Sequence, residues 1–555
     1  MKQIFTVVLA LIVITGCSQQ IPQKYFVAFT DKNGTPYSIN NPQAFLTQRA
    51  IDRRNAQGIA ITEEDLPVNP AYVNAVAATG VQVYTRCKWF NGITVRAVDS
   101  SVLNSIRALG FVLSITRVTA YNSKTSSASE RKFKRERVQL KHNEIHKFNS
   151  PGSPQSYNYG PSYTQIHQLN GDVLHNLGYR GQGKVIAILD VGFQNVDILP
   201  AFDSARANNQ ILGTRDFVSP DSNVYRGDSH GEMVLSEMLG DDPGNLIGTA
   251  PKASYWLIRT DDQNSENIVE EYNWVVGAEM ADSVGADVIT SSLGYSSFDN
   301  NWKDHTCADM NGYTNPSTRG ANMAFSKGIA LSIACGNGGG YNGCVDSPSD
   351  AVDALGIGAV DSSGHYAPFS STGTVDTTYV KPNLACMGVN CTAAAPDSSY
   401  GIPSGSSFAT PINAGLMACL WQARPTLTPT QLYLAIEKSA SQYANPDSLL
   451  GYGIPDYAMA LQLAGVVINN KPSFRVYPNP FTESFTYTCD SKVAGTIEFS
   501  LISAIGDVVL VTKKMIPAGG GTTIRMNNVG TLKPGLYILK IASEHTTEYV
   551  QLVKI

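Results

Sequence analysis

The rhythm of apolar and polar positions divides the chain into stretches of different character. An apolar run from Ile4 to Ile14 follows Lys2 and ends at Thr15-Gly16-Cys17-Ser18. It is too short to span a bilayer and has the layout of a signal peptide, predicting a leader over 1–17 and export from the cytoplasm. Between 25 and 121, Val81-Gln82-Val83-Tyr84-Thr85 and Ile93-Thr94-Val95-Arg96-Ala97 alternate as strands do. Val102, Leu103, Ile106 and Leu109 recur at helical spacing, so this stretch predicts a small α+β unit. Residues 122–157 lose all periodicity: NSKTSSAS, then Arg131, Lys132, Lys134, Arg135, Arg137 and Lys141, then NSPGSPQS. A charge run of this kind is a solvated linker, and exposed linkers are where chains are nicked.

From 158 to 466 the pattern becomes regular. Apolar runs at Val185–Leu189, Ala253–Ile258, Ala286–Ser291, Ile329–Ala334 and Ala354–Ala359 alternate with helical spacing over 230–239 and 267–284. Buried runs alternating with helices predict an α/β fold, a parallel sheet with helices on both faces. After a junction at 467–472, the stretch 473–555 alternates at Ile497, Phe499 and Leu501 and has apolar runs at Val508–Val511 and Leu536–Leu539. Without a helical pattern it reads as a small β-sandwich.

Length agrees with this division, because 555 residues exceed what one core supports. A net charge of −5 gives no positive field to recruit nucleic acid. The nine cysteines form no CxxC pair, which removes a zinc-cluster reading. In an exported chain they can form disulfides, and Cys307/Cys344 and Cys386/Cys391 lie in loop-like sequence. Ile14-Thr15-Gly16-Cys17 also has the form of a lipoprotein box, in which Cys17 would be acylated.

Four segments sit where a strand ends or a helix begins. Val185-Ile186-Ala187-Ile188-Leu189-Asp190 ends a strand in a carboxylate, and open α/β sheets bind ligands beyond their strands' carboxyl ends. Ser229-His230-Gly231-Glu232-Met233-Val234 opens a helix with a histidine; His-x-Glu offers no second metal ligand at helical spacing. Ala334-Cys335-Gly336-Asn337-Gly338-Gly339 ends a strand in a turn that exposes an amide donor, suited to an oxyanion. Gly405-Ser406-Ser407-Phe408-Ala409-Thr410-Pro411 precedes an apolar helix over 412–421, with Pro411 fitting its first turn and a serine at its positive end.

In that order the four segments resemble the subtilisin-like serine proteases, whose triad runs Asp, His, Ser along the chain. Gly248-Thr249-Ala250-Pro251-Lys252-Ala253, Ser292-Leu293-Gly294, Phe369-Ser370-Ser371, Lys381-Pro382-Asn383 and Gly451-Tyr452-Gly453 extend the likeness. Four positions depart from the family's usual pattern: Ser406 for Thr, Cys335 for Ala, and Cys386-Met387 for Ala-Pro. The resemblance implies a subtilisin-like parallel sheet and a serine endopeptidase with Asp190, His230 and Ser407 as triad. It further implies Asn337 as oxyanion donor, and Ser292, Leu293, Gly294 and Gly336 as substrate-binding residues. No cofactor is required for catalysis; structural calcium is compatible with the family, without a contiguous loop motif to assign it.

The flanking units carry looser likenesses. Residues 25–121, with Lys88-Trp89-Phe90-Asn91-Gly92-Ile93, are similar to the family's inhibitory prodomains, implying a zymogen whose partners are its own prodomain and peptide or protein substrates. Val476-Tyr477-Pro478-Asn479-Pro480, Ala504-Ile505-Gly506-Asp507 and Gly535-Leu536-Tyr537-Ile538 resemble the sorting domain of the type IX secretion system. That implies the secretion machinery as partner, and a secreted or cell-surface protein that crosses the inner and then the outer membrane. Two rival readings fit the sequence less well. An α/β-hydrolase esterase needs acid and then histidine after its serine, and only His545 follows Ser407. A catalytically silent surface-binding protein is disfavoured by the presence of all three triad residues.

Overall fold

Seven mutually parallel strands form the centre of the computed structural model. Their order across the sheet is Leu384–Met387, Leu355–Val360, Ala330–Ala334, Val288–Ser291, Val185–Asp190, Ser254–Arg259 and Ile211–Asp216. The structure describes residues 23–120, 140–141, 157–219, 223–340, 344–374, 378–465, 474–489, 495–503, 507–516, 522–542 and 547–555. The leader with Cys17, nearly all of the basic linker, the junction at 467–472 and Ala504–Gly506 lie outside them. Among the described residues no helix is long and apolar enough to cross a membrane.

The strand Val185–Asp190 is buried along its whole length and divides two cores. Ile186 and Ile188 face the serine helix Ser406–Ala423 and the histidine helix His230–Leu239, while Val185, Ala187 and Leu189 face the helix Val269–Val284. This is the predicted parallel sheet covered on both faces. The pattern did not predict two of its strands. Ile211–Asp216 is a half-exposed edge strand, and Leu384–Met387 spans only four residues.

The N-terminal unit is α+β as predicted. Its antiparallel sheet runs Gln82–Cys87, Gly92–Ala97, Gln23–Phe29, Val112–Arg117. Two further helices, Gln48–Gln57 and Pro70–Ala77, complete it. The unit docks on the helix Val269–Val284 through buried charge. Glu279 accepts the backbone N–H groups of Lys88 and Trp89, both at 2.9 Å, and the Cys87 thiol at 3.0 Å. Asp282 is held by Arg53 at 2.6 Å, Arg54 at 2.8 Å and Lys88 at 3.2 Å.

At the C-terminus a three-stranded sheet (Phe474–Tyr477, Phe485–Cys489, Thr522–Met526) and a four-stranded one share a core of Phe481, Phe485, Tyr487, Phe499 and Leu501. The four-stranded sheet runs Val508–Ile516, Gly495–Ser503, Gly535–Ala542, Thr547–Lys554. Two antiparallel sheets over one apolar core are the predicted sandwich.

Candidate active site

Asp190 is the last residue of its strand and is completely buried. His230 is the first residue of its helix, whose opening N–H is capped at 2.9 Å by the Asp228 carboxylate. The two meet because both backbones are bare at the crossing. A side chain begun at Gly231 would come within 2.4 Å of Gly192 O and 2.8 Å of Asp190 Cβ. With that approach open, His230 Nδ1 lies 2.8 Å from Asp190 Oδ1. A carboxylate only accepts, so the proton of this pair sits on Nδ1, which leaves Nε2 as the ring's basic nitrogen. Burial pushes the Asp190 carboxyl above its ordinary range, opposed by His230 and by the Val191 N–H at 2.8 Å.

Ser407 is the second residue of the serine helix, so its main chain lies at the positive helix end. The helix begins at Ser406 rather than at 412, which places Pro411 one turn further in than expected. This has a local consequence. In an α-helix the N–H of residue 411 would bond the carbonyl of 407, and proline has none. Ser292 Oγ supplies the missing donor, reaching Ser407 O at 2.7 Å, while Ser407 Oγ donates to Ser292 O at 3.3 Å. Phe408, next in the chain, tilts its ring 5.9 Å from that of His230. Serine and histidine helices thus converge on the same strand ends.

Asn337 follows the strand Ala330–Ala334 and is fixed by Ser406. Its Oδ1 accepts the Ser406 N–H at 2.8 Å and the Ser406 hydroxyl at 3.0 Å, and that hydroxyl accepts the Gly336 N–H at 3.2 Å. Holding the amide by its oxygen orients the NH₂ end, the only part able to donate to an anion. Serine in place of the family's usual threonine therefore keeps the anchoring hydroxyl. Sequence reading missed this positioning by Ser406; the signal was an adjacent hydroxyl at a helix start.

Three family models match the chain in order. "Peptidase S8 propeptide domain, Bacteroidota" covers residues 24–134, "Subtilase family" covers 181–453, and "Secretion system C-terminal sorting domain" covers 475–555. Subtilisin E of Bacillus subtilis (strain 168) is 30% identical over 296 residues, which are 52% of this chain and 68% of that protein. Subtilisin J of Geobacillus stearothermophilus shows the same 30% identity and coverage, and the subtilisin of Bacillus pumilus is 28% identical over 313 residues, 56% of this chain and 100% of that protein. The chain belongs to the subtilase family. This subtilase is a serine-type endopeptidase made as a zymogen, and its C-terminal sorting domain marks it for export to the medium or the cell surface.

The subtilase's departures from the usual pattern are accommodated by packing. Cys335 is buried, with Sγ 3.4 Å from Ser370 Oγ and from Ser371 O, and burial pushes its thiol up to about 12, so it stays protonated and inert. Cys307 and Cys344 form a disulfide. The other suggested pair is not formed: Cys386 and Cys391 are free thiols in the apolar core, with Cys391 Sγ directed at Met387 O, 3.3 Å away. Glu232, two residues beyond His230, is buried, and its carboxyl oxygens have no hydrogen-bond partner among the described residues. Burial, with Asp397 adding to it, pushes Glu232 up to about 9. A carboxyl displaced this far stays protonated at neutral pH.

Among the described residues, Asp261, Glu266 and Glu270 bring carboxylate oxygens within 4.8 Å of one another, a hard donor set of the kind calcium takes. Protein groups already use some of these oxygens. Asp261 Oδ1 accepts from Tyr295 at 2.8 Å and Thr260 at 3.0 Å, and Glu270 accepts the N–H groups of Asp262 and Asn267 at 2.9 and 3.2 Å.

Proposed function

We propose that this endopeptidase cleaves its substrates through an acyl-enzyme on Ser407. His230 Nε2 takes the Ser407 proton as the oxygen attacks the scissile carbonyl, and returns it to the leaving amine. Asp190 holds the ring in the Nδ1–H tautomer and stabilises the imidazolium. The carbonyl oxygen, now negative, is received by the Asn337 NH₂ and the Ser407 N–H. Water then repeats the sequence on the ester. Extended substrate pairs with the main chain of Ser292, Leu293 and Gly294 as an added strand, and Gly336 lines the opposite side.

The observation that carries this reading is the two-sided clamp. His230 is oriented by Asp190 at 2.8 Å, and Asn337 is oriented by Ser406, the residue next to Ser407. Activation would be a cut in the basic linker 122–157 that frees the catalytic unit 158–466 from the unit 25–121. The leader would carry the chain over the inner membrane, and 473–555 would direct it through the outer. If Cys17 is acylated, the linker cut would also release the enzyme from that anchor. Paired variants test the nucleophile. Ser407→Ala should lower kcat by about 10⁶, a magnitude carried over from subtilisin itself rather than derived from this geometry. Ser406→Ala should retain measurable turnover. The reverse ranking would overturn the assignment.

A further inference from the structure

Two backbone segments beside Asn337 are bare at Gly294 and Gly336, and the Asp346 carboxylate stands between them. Val345–Ser347 bridges the two strand ends that flank the reacting serine. The Asp346 N–H donates to Cys335 O at 2.9 Å, and the Tyr295 N–H donates to Ser347 O at 2.7 Å. The bridge closes the far side of the gap between 292–294 and 334–336, just beyond the Cys307–Cys344 disulfide. A side chain begun at Gly294 would come within 2.9 Å of Asp346 Cβ and 3.1 Å of its Oδ2. One begun at Gly336 would come within 2.1 Å of Oδ2, and Gly336 also has φ +101°, which favours glycine. Both walls are therefore kept without side chains where the carboxylate projects. The slot is adjacent to the chemistry: Gly336 precedes Asn337, and Ser292, two residues before Gly294, is bonded to Ser407 in both directions.

We propose that Asp346 makes this slot the receptor for a cationic side chain, so that the enzyme cuts peptide bonds on the carboxyl side of arginine and lysine. The proposal rests on the reading of Ser407 and Asn337 above. Asp346 is half-buried, so a cation entering the slot meets its charge with less screening than in water. An arginine fork can pair with both carboxylate oxygens. A leucine or phenylalanine in the same place would strip water from the carboxylate and return no partner, a repulsive element that sharpens selection. The chain carries a substrate of this chemistry: Arg131, Lys132, Lys134, Arg135 and Arg137 lie in the linker between prodomain and catalytic unit. An enzyme with this preference is matched to its own activation segment.

The test uses mature enzyme, counted by fluorophosphonate labelling, on peptides that differ only in the residue before the scissile bond. Arginine and lysine peptides should exceed leucine and phenylalanine peptides in kcat/KM by on the order of 10²-fold, the size expected when one partner of a desolvated ion pair is missing. Asp346→Asn, counted in the same way, should reduce the arginine-to-leucine ratio by about the same factor. A wild-type enzyme that favours leucine or phenylalanine overturns the proposal, whether or not the variant folds. So does an Asp346→Asn enzyme that loses activity on all peptides in parallel, which would assign Asp346 a structural role only. Wild-type protein that neither labels nor cleaves any peptide would overturn the Ser407 reading as well.

Discussion

Asp190 and Asp282 are both completely buried carboxylates, yet they are displaced in opposite directions. Burial pushes each upward. Around Asp282, the cations Lys88, Arg53 and Arg54 overcome it and hold the group at about 2, whereas one imidazole and one N–H leave Asp190 raised. The contrast separates two tasks. A carboxylate that locks two units together is surrounded by an excess of positive charge, and here all three cations belong to the N-terminal unit. The one proposed to assist a reaction keeps a single side-chain partner, the His230 imidazole, beside the Val191 N–H. Among the described residues every side-chain hydrogen-bond partner of Asp190 lies within the catalytic unit, so departure of the prodomain empties one cluster and leaves the other whole.

The sharpest way to break the comparison is to neutralise Asp190, the carboxylate proposed to act in catalysis. Asp190→Asn should lower kcat by on the order of 10⁴, because an amide can stabilise the wrong imidazole tautomer, while the unfolding temperature of the zymogen changes little. An Asp190→Asn enzyme within tenfold of wild type would contradict the assigned role. On the other side of the comparison, Arg54→Met removes a cation that bonds both Asp65 and Asp282. Losing one partner of a buried pair costs about 3–5 kcal/mol, so full-length zymogen should unfold at markedly lower denaturant, whereas mature enzyme, which lacks residue 54, should have unchanged kcat/KM. The sign of the Asp282 displacement adds a pH statement. Its stabilisation is complete above the ordinary value of 3.8 and is lost only as pH falls through about 2, so acidification from 7 to 5 should leave this contact intact in hydrogen-exchange measurements.

Smaller effects refine the catalytic side. Asn337→Leu should lower kcat by about 10²–10³ with little change in KM, a magnitude carried over from subtilisin rather than derived from these distances. An effect confined to KM would make Asn337 a substrate-positioning residue instead. Glu232 is displaced upward, to about 9, so the folded state holds its proton more tightly than the unfolded chain. Stability from this group is therefore greatest below about 4.5 and declines as pH rises towards 9, by at most about 1.4 kcal/mol per pH unit. Glu232→Gln should flatten that decline in urea titrations at successive pH values, and an unchanged slope would remove Glu232 as its source.

The architecture was legible where burial is apolar. Val185–Asp190 and its neighbours advertise themselves as continuous apolar runs, and the order of the four site segments points to the proposed triad. What stayed hidden depends on partners distant in the chain. The helix Gln48–Gln57 buries Arg53 and Arg54, whose charge masks its packed face from any hydrophobic pattern, and whose partner Asp282 lies more than two hundred residues away. Ile211–Asp216 is a half-exposed edge strand with a mixed pattern. Asp346 reads as a loop acid until folding sets it between Gly294 and Gly336. Ser407 was singled out by the motif, whereas the bond of Ser406 to Asn337, sixty-nine residues away in the chain, became visible only in the fold.

The central claim is that Ser407, activated through His230 and Asp190, is the nucleophile. The most direct measurement is fluorophosphonate labelling of mature enzyme followed by peptide mapping, alongside Asp190→Asn and Ser406→Ala enzymes. The account predicts a single adduct on Ser407, formed far more slowly in Asp190→Asn and still on Ser407 in Ser406→Ala. An adduct on Ser406 or another residue, or labelling of Asp190→Asn at the wild-type rate, would contradict it.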